Sequence, residues 1–139
     1  MTPDKMALIH AAAFTTERSW SAQEFRDLQA NSHTHLSTRA QGFALWRSLA
    51  GEAELLTVAV HPAQQNKGTG RHLMEMWMTQ AATSAETAFL EVAADNGPAR
   101  NLYANFGFTT VATRQNYYTR PNGNVDALLM RASLPFSVP

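Results

Sequence analysis

The chain of 139 residues contains no cysteine. That absence excludes a disulfide framework, a thiolate metal site and a cysteine nucleophile together. Charge of one sign is lacking as well: eleven Lys and Arg balance eleven Asp and Glu, for a formal net charge of zero. A balanced surface gives no electrostatic reason to expect a nucleic-acid or membrane partner, although a local basic site can still exist. No apolar run approaches the ~20 residues of a membrane span. The N-terminal "MTPDKMALIHAAAF" sets a lysine before a short apolar stretch, as a secretory leader does, but Asp4, His10 and the brevity of the stretch favour an amphipathic helix. The expected location is therefore cytoplasmic. Repeats, linkers and low-complexity tracts are missing too, and 45% hydrophobic against 16% charged residues describes a globular chain. Length and composition predict one domain over residues 1–139, with a core large enough to fold without staples.

What is present is an orderly series of elements. "PDKMALIHAAAF" and "SAQEFRDLQA" read as short helices, the first with Pro3 in its first turn, the second with Ser21 and Glu24 at capping-box spacing. Residues 33–39 and 42–48 read as strands with Gly42 near the turn between them, and "AELLTVAV" is a third strand ending at His61-Pro62. Gly68 to Thr83 has helical spacing, with Leu73, Met74, Trp77, Met78 and Ala81 on one face, most simply a core face. A strand follows in "TAFLEVAADN", then a helix in "DNGPARNLYANFG" with Asp95 and Asn96 as capping candidates, Pro98 in its first turn and Gly107 as its stop. Strands over 108–119 and 124–132 flank "RPNGN", a hairpin turn. The order predicts a single-domain α/β fold.

The sharpest local signal is the turn in "VAVHPAQQNKGTGRHLM". A strand ends, the chain passes through Gln65-Asn66-Lys67-Gly68-Thr69-Gly70, and an amphipathic helix starts at once. A helix N-terminus offers free N–H groups and the positive end of the dipole, and glycines let an anion approach them closely. Lys67 and Arg71 add charge at the rim. Phosphate or pyrophosphate is the expected ligand; the plain alternative is a glycine-rich turn with none. The pattern is neither G-x-x-x-x-G-K-[ST] nor G-x-G-x-x-G, which disfavours a nucleoside triphosphatase and a dinucleotide fold.

A second signal is the carboxylate of Glu91 in an otherwise apolar strand. An unpaired buried carboxylate is costly, so Glu91 either points to solvent from a strand end or is held in a cleft for a reaction that needs a base. His33 and His35 alternate along a strand but lack a third ligand, and His61 and His72 flank the phosphate turn as solvated or tuning groups. No metal site is expected.

The turn fits Q-x-x-G-x-G through Gln65, Gly68 and Gly70, and so resembles the acetyl-CoA-binding signature of the GNAT acetyltransferase superfamily. "LEVAADNGPARNLYANFGF" followed by "RQNYYTRPNGNVDALLM" is similar to the RimI-type protein N-terminal acetyltransferases, whose members acetylate the N-terminal alanine of the small-subunit ribosomal protein numbered eighteen. The resemblance covers about Ala53 to Ala132. It implies a mixed, mostly antiparallel twisted sheet flanked by helices, with acetyl-CoA as co-substrate. It further implies that the backbone of Val58, Ala59 and Val60 pairs with the pantetheine arm, that the amides from Asn66 through Lys67, Gly68, Thr69 and Gly70 to Arg71 hold the pyrophosphate, and that Asn96 lies on the cofactor. The family's catalytic glutamate falls on Glu91 and its catalytic tyrosine on Tyr103; Tyr117 and Tyr118 are expected near the acceptor peptide. The partner implied is a ribosomal protein's N-terminal peptide, met by a monomer or weak homodimer. Two departures stand out: Asn66-Lys67 replaces the more usual basic-polar pair, and the family's first strand has no counterpart before the first helix.

The chemistry suits those residue types. Acyl transfer from a thioester to an amine requires a base, oxyanion stabilisation and protonation of the departing thiolate. Glu91 would be the base and Tyr103 the acid, with strand N–H groups polarising the carbonyl; Tyr103 as an ordinary core aromatic is the alternative. An α-amine titrates near 8 and a lysine near 10.4, so a glutamate base favours the former. Without a cysteine, direct transfer in a ternary complex is the simpler path. Rival readings are another protein N-terminus or small amine as acceptor, a non-catalytic acyl-CoA-binding module, and a phosphate-binding interaction domain.

Overall fold

The computed structural model describes residues 1–137. Two helices come first, α1 (Pro3–Ala13) and α2 (Ala22–Ala30), then strands β1 (Thr34–Arg39), β2 (Gly42–Leu49) and β3 (Glu52–Val60). Helix α3 (Thr69–Ala81), strand β4 (Thr87–Ala93), helix α4 (Gly97–Ala104) and strands β5 (Thr109–Tyr118) and β6 (Val125–Ser133) complete the order, which is the one expected. Local chemistry accounts for the boundaries. Thr2 and Ser21 cap α1 and α2, the latter in a full capping box with Glu24, and Asn96 caps α4 ahead of Pro98.

The six strands form one sheet in the order β1-β2-β3-β4-β6-β5. All neighbours are antiparallel except β3 and β4, which run parallel. Among the described residues no strand precedes α1, so β1 forms one edge of the sheet.

Two cores sit on opposite faces. Ala44 and Trp46 of β2 pack with Leu73, Met74, Trp77 and Met78 of α3, whereas Phe43 and Leu45 pack with Met6, Ile9 and Phe25 of α1 and α2. That is the period-two alternation of a strand buried on both sides. In β3 the alternation breaks. Leu45 faces Thr57 and Trp46 faces Leu55, which leaves Leu56 as the extra residue of a β-bulge. Before the bulge, odd-numbered Ala53 and Leu55 join the α3 core; after it, Ala59 joins the α1/α2 core and even-numbered Val58 and Val60 turn to α3. One inserted residue swaps the faces of the rest of the strand.

The bulge also coincides with a parting of the sheet. Parallel pairing of β3 with β4 holds only at Glu52–Thr87, Ala53–Ala88 and Glu54–Phe89. Beyond it β4 stays paired to β6 as far as Ala93–Ala127, and β3 stays paired to β2 as far as Val60–Gly42. The two central strands therefore diverge into an open wedge with unpaired β3 backbone along one wall. The candidate site lies there.

Candidate active site

Two cavities occupy the wedge. The larger, of about 510 Å³, is lined by Val58, Ala59 and Val60 on the β3 wall, by Gln65, Asn66, Gly68, Thr69, Gly70 and Arg71 of the turn, and by Asn96, Leu102 and Tyr103 from the α4 side. The resemblance singled out most of these residues, and the fold brings them into one groove. Lys67 does not line it; its side chain is exposed on the outside of the turn.

The turn is built to present donors. Asn66 and Gly68 both take left-handed backbone, with φ of 61° and 82°. Gly68 is the N-cap of α3 and supplies no side-chain cap, so the first amides of the helix are left for a ligand. A β-carbon at Gly68 would be strained by its φ even though the nearest atom is 3.9 Å away. The Gln65 side chain donates to the Val60 carbonyl at 2.9 Å and ties the turn to the end of β3. Arg71 pairs with Glu75 one helical turn on at 3.3 Å, and both are largely exposed.

The smaller cavity encloses about 100 Å³ between the diverging strands and the segment joining α1 to α2. Glu91 stands in its wall with 27% side-chain exposure, on the strand face opposite Leu90 and Val92, and Arg114 of β5 lies 3.4 Å from its carboxylate. Glu91 is thus in a cleft and not at a solvated strand end. Tyr118 also lines this cavity, and burial followed by the nearby Glu91 charge pushes its phenol up to about 12. Tyr117 points elsewhere: it is 53% exposed, its ring lies edge-on to Tyr118, and the Arg114 guanidinium lies over it at 5.4 Å.

Val58, Asn96, Phe14 and Tyr103 line both cavities, so the two meet there. Tyr103 is 7% exposed, and its ring lies edge-on to Phe108. Burial above all, with Tyr118 and Glu17 adding to it, raises its phenol well above the usual range, so it stays protonated. The Asn96 side-chain oxygen accepts from the Ala99 N–H at 3.2 Å, so this residue both caps α4 and faces the groove.

From α1 and the segment that follows it, His10, Phe14, Glu17 and Trp20 line the small cavity although they carried no site role in the sequence reading. His10 is 4% exposed, accepts the Trp20 N–H on Nδ1 at 3.2 Å and stacks on the Trp20 ring at 5.0 Å. Burial, opposed by Glu24 and reinforced by Arg18, lowers its pKa to about 4, so it is a neutral peg for the joining segment. The other histidines have local roles: His35 stacks on Trp46 at 4.4 Å, and His61 Nδ1 accepts from the Ala63 N–H at 3.1 Å. Among the described residues no cluster of three metal-ligating side chains occurs, and no helix is long and apolar enough to cross a membrane.

A sheet split between two parallel strands, with a donor-rich turn at the mouth of the split, defines a GNAT fold. The family model described as "Acetyltransferase (GNAT) family" matches residues 7–108, and the chain belongs to that family. Its relatives narrow the likeness. It is 35% identical over 124 residues to the [Ribosomal protein bS18]-alanine N-acetyltransferase of Salmonella typhimurium, covering 86% of this chain and 82% of the relative. The enzyme of the same name from Escherichia coli K12 is 32% identical over 142 residues, covering 99% and 95%. The crystal structure of the ribosomal-protein-S18-alanine N-acetyltransferase from Escherichia coli superposes with a TM-score of 0.86 at 28% identity, over 97% of this chain and 89% of that one.

Proposed function

We propose that this enzyme transfers the acetyl group of acetyl-CoA to the α-amino group of an N-terminal alanine, with ribosomal protein bS18 as the acceptor. The observation that carries the reading is the meeting of the two cavities at Tyr103, with Glu91 in the wall of the smaller one. The larger groove takes acetyl-CoA: the amides from Asn66 to Arg71 bind the pyrophosphate and the unpaired edge of Val58–Val60 receives the pantetheine arm. The smaller cavity takes the acceptor, and a volume of about 100 Å³ suits a first residue with a methyl side chain. Relatives named for alanine N-acetylation support the same acceptor. A ribosomal acceptor also fits a cytoplasmic enzyme.

In the reaction the amine nitrogen attacks the thioester carbonyl, forming the C–N bond as the C–S bond breaks. Glu91 accepts the proton lost by the amine, directly or through a water, and Tyr103 donates its hydroxyl proton to the departing sulfur. Transfer of the proton from Glu91 back to the phenolate through water resets both groups. Tyr118, kept neutral by its raised pKa, borders the acceptor.

The test is a peptide beginning with alanine, its Nα-blocked counterpart carrying an internal lysine, and a small polyamine, each incubated with acetyl-CoA and followed by thiol release and mass. Acetylation of the free α-amine alone is the expected result. Acetylation of the blocked peptide or the polyamine would replace the acceptor assigned here.

A further inference from the structure

Arg120 lies just past β5, in the turn "RPNGN", and only 10% of its side chain is exposed. Its Nε and Nη2 donate to the two oxygens of Asp95 at 2.8 and 3.1 Å, a bidentate pair. Nη2 also donates to Glu17 at 3.3 Å. The guanidinium lies 5.6 Å from the centre of the Tyr118 ring, and Nη1 donates to the Thr119 carbonyl at 3.0 Å. One side chain thus joins the segment between α1 and α2, the turn between β4 and α4, and the end of β5. These segments are far apart in the sequence and surround one opening.

The two cavities are not equally attached to this junction. Glu17 and Tyr118 line the smaller cavity and not the larger, whereas the larger is reached through Asn96, the neighbour of Asp95, and through Phe14 at the near end of the α1–α2 segment, both of which line the smaller cavity as well. Glu17 and Asp95 are like charges brought to one cation. Without it they repel each other, and Glu17 loses its hold on the β5 end.

We propose that Arg120 is a positioning residue for the acceptor: by clamping Glu17 and Asp95 it holds the α1–α2 segment and Tyr118 in place around the acceptor cavity, leaving acetyl-CoA binding largely untouched. This rests on the acceptor assignment made above. A lysine at this position keeps the charge but not the planar fork that serves two carboxylates, so it restores the clamp only in part.

Hydrogen exchange and steady-state kinetics of the whole chain test it, using wild type, Arg120→Ala, Arg120→Lys and Glu17→Gln with the alanine peptide as probe. In Arg120→Ala, residues 15–21 exchange faster without any ligand, the acceptor KM rises about tenfold, as for loss of a charged hydrogen bond, and the acetyl-CoA KM stays within about twofold. Arg120→Lys lies between. Adding Glu17→Gln to Arg120→Ala brings little further change, because both remove one link. Unchanged exchange over 15–21, or acceptor and acetyl-CoA KM values rising together, would overturn the proposal. Should wild type leave the peptide unmodified, the acceptor assignment falls by itself. The clamp is then judged by exchange over 15–21 beside acetyl-CoA affinity, and unchanged exchange overturns it while faster exchange at unchanged affinity upholds it.

Discussion

The two halves of the wedge are built by different means. The larger groove is walled by the open edge of β3 and by a turn in which Asn66 and Gly68 take left-handed backbone, the half whose proposed contacts are backbone amides. The smaller cavity gathers residues from distant parts of the chain, with His10 of α1 and Phe14, Glu17 and Trp20 of the segment after it lining it beside Glu91 and Tyr118, so its proposed contacts are side chains. A backbone site constrains residues at fixed short spacing and tolerates change elsewhere. A side-chain site depends on the identity of each contributor and on whatever pins the segments together. Substitutions should therefore divide the halves cleanly.

The largest effect is expected where the halves meet. Glu91→Gln and Tyr103→Phe should each lower acetyl transfer by about 10²-fold or more, the usual scale of general acid–base catalysis, while acetyl-CoA affinity measured by calorimetry is unchanged. A parallel loss of affinity would give these residues a role in binding acetyl-CoA and erase the division.

Acid should strike the side-chain half. Because the His10 pKa lies near 4 in the fold and near 6.5 in an unfolded chain, the unfolded state binds more protons between those values. Its contribution is fully present above about pH 6.5 and lost as pH falls toward 4, on the order of 3 kcal/mol in all. Urea titrations over that window should show the slope, His10→Asn should flatten it, and hydrogen exchange should locate the first opening in residues 14–21 rather than in the phosphate turn.

A smaller and opposite effect belongs to the backbone half. Gly68→Ala places a β-carbon at a φ of 82°, a strain of about 1–2 kcal/mol. The acetyl-CoA KM should rise about tenfold with the acceptor KM unmoved. Smallest of all is Lys67→Ala: an exposed charge outside the groove should alter the acetyl-CoA KM by less than about threefold, since amides carry the contact and salt screens the charge.

The same contrast explains what could be read from the sequence. Every helix and strand announced itself through caps, periodicity or turn residues, because those signals are local. The glycine-rich turn was legible for the same reason, with glycines spaced where a strand gives way to a helix. Glu91 stood out as a carboxylate in an apolar strand, but its catalytic role and that of Tyr103 came through resemblance, and their placement in one cleft depends on strands that are not neighbours in sequence. The segment 14–21, "FTTERSWS", carries no periodicity, and the partner of its Glu17 is Arg120, more than a hundred residues on. Nothing local links them. The bulge did leave a trace, since the adjacent Leu55 and Leu56 interrupt the alternation of "AELLTVAV", and a doubled apolar pair in a strand that otherwise alternates is the signal to look for.

The most direct test of a two-part site meeting at Tyr103 is the affinity of a conjugate in which coenzyme A is joined through its sulfur, by an acetyl bridge, to the α-nitrogen of an alanine-initiated peptide. If the two cavities are contiguous and filled together, the conjugate binds about 10²-fold or more tighter than acetyl-CoA alone, the gain expected from linking two ligands across adjoining sites. A conjugate that binds no tighter than acetyl-CoA, or no better than one whose peptide sequence is scrambled and lacks the alanine, would contradict it.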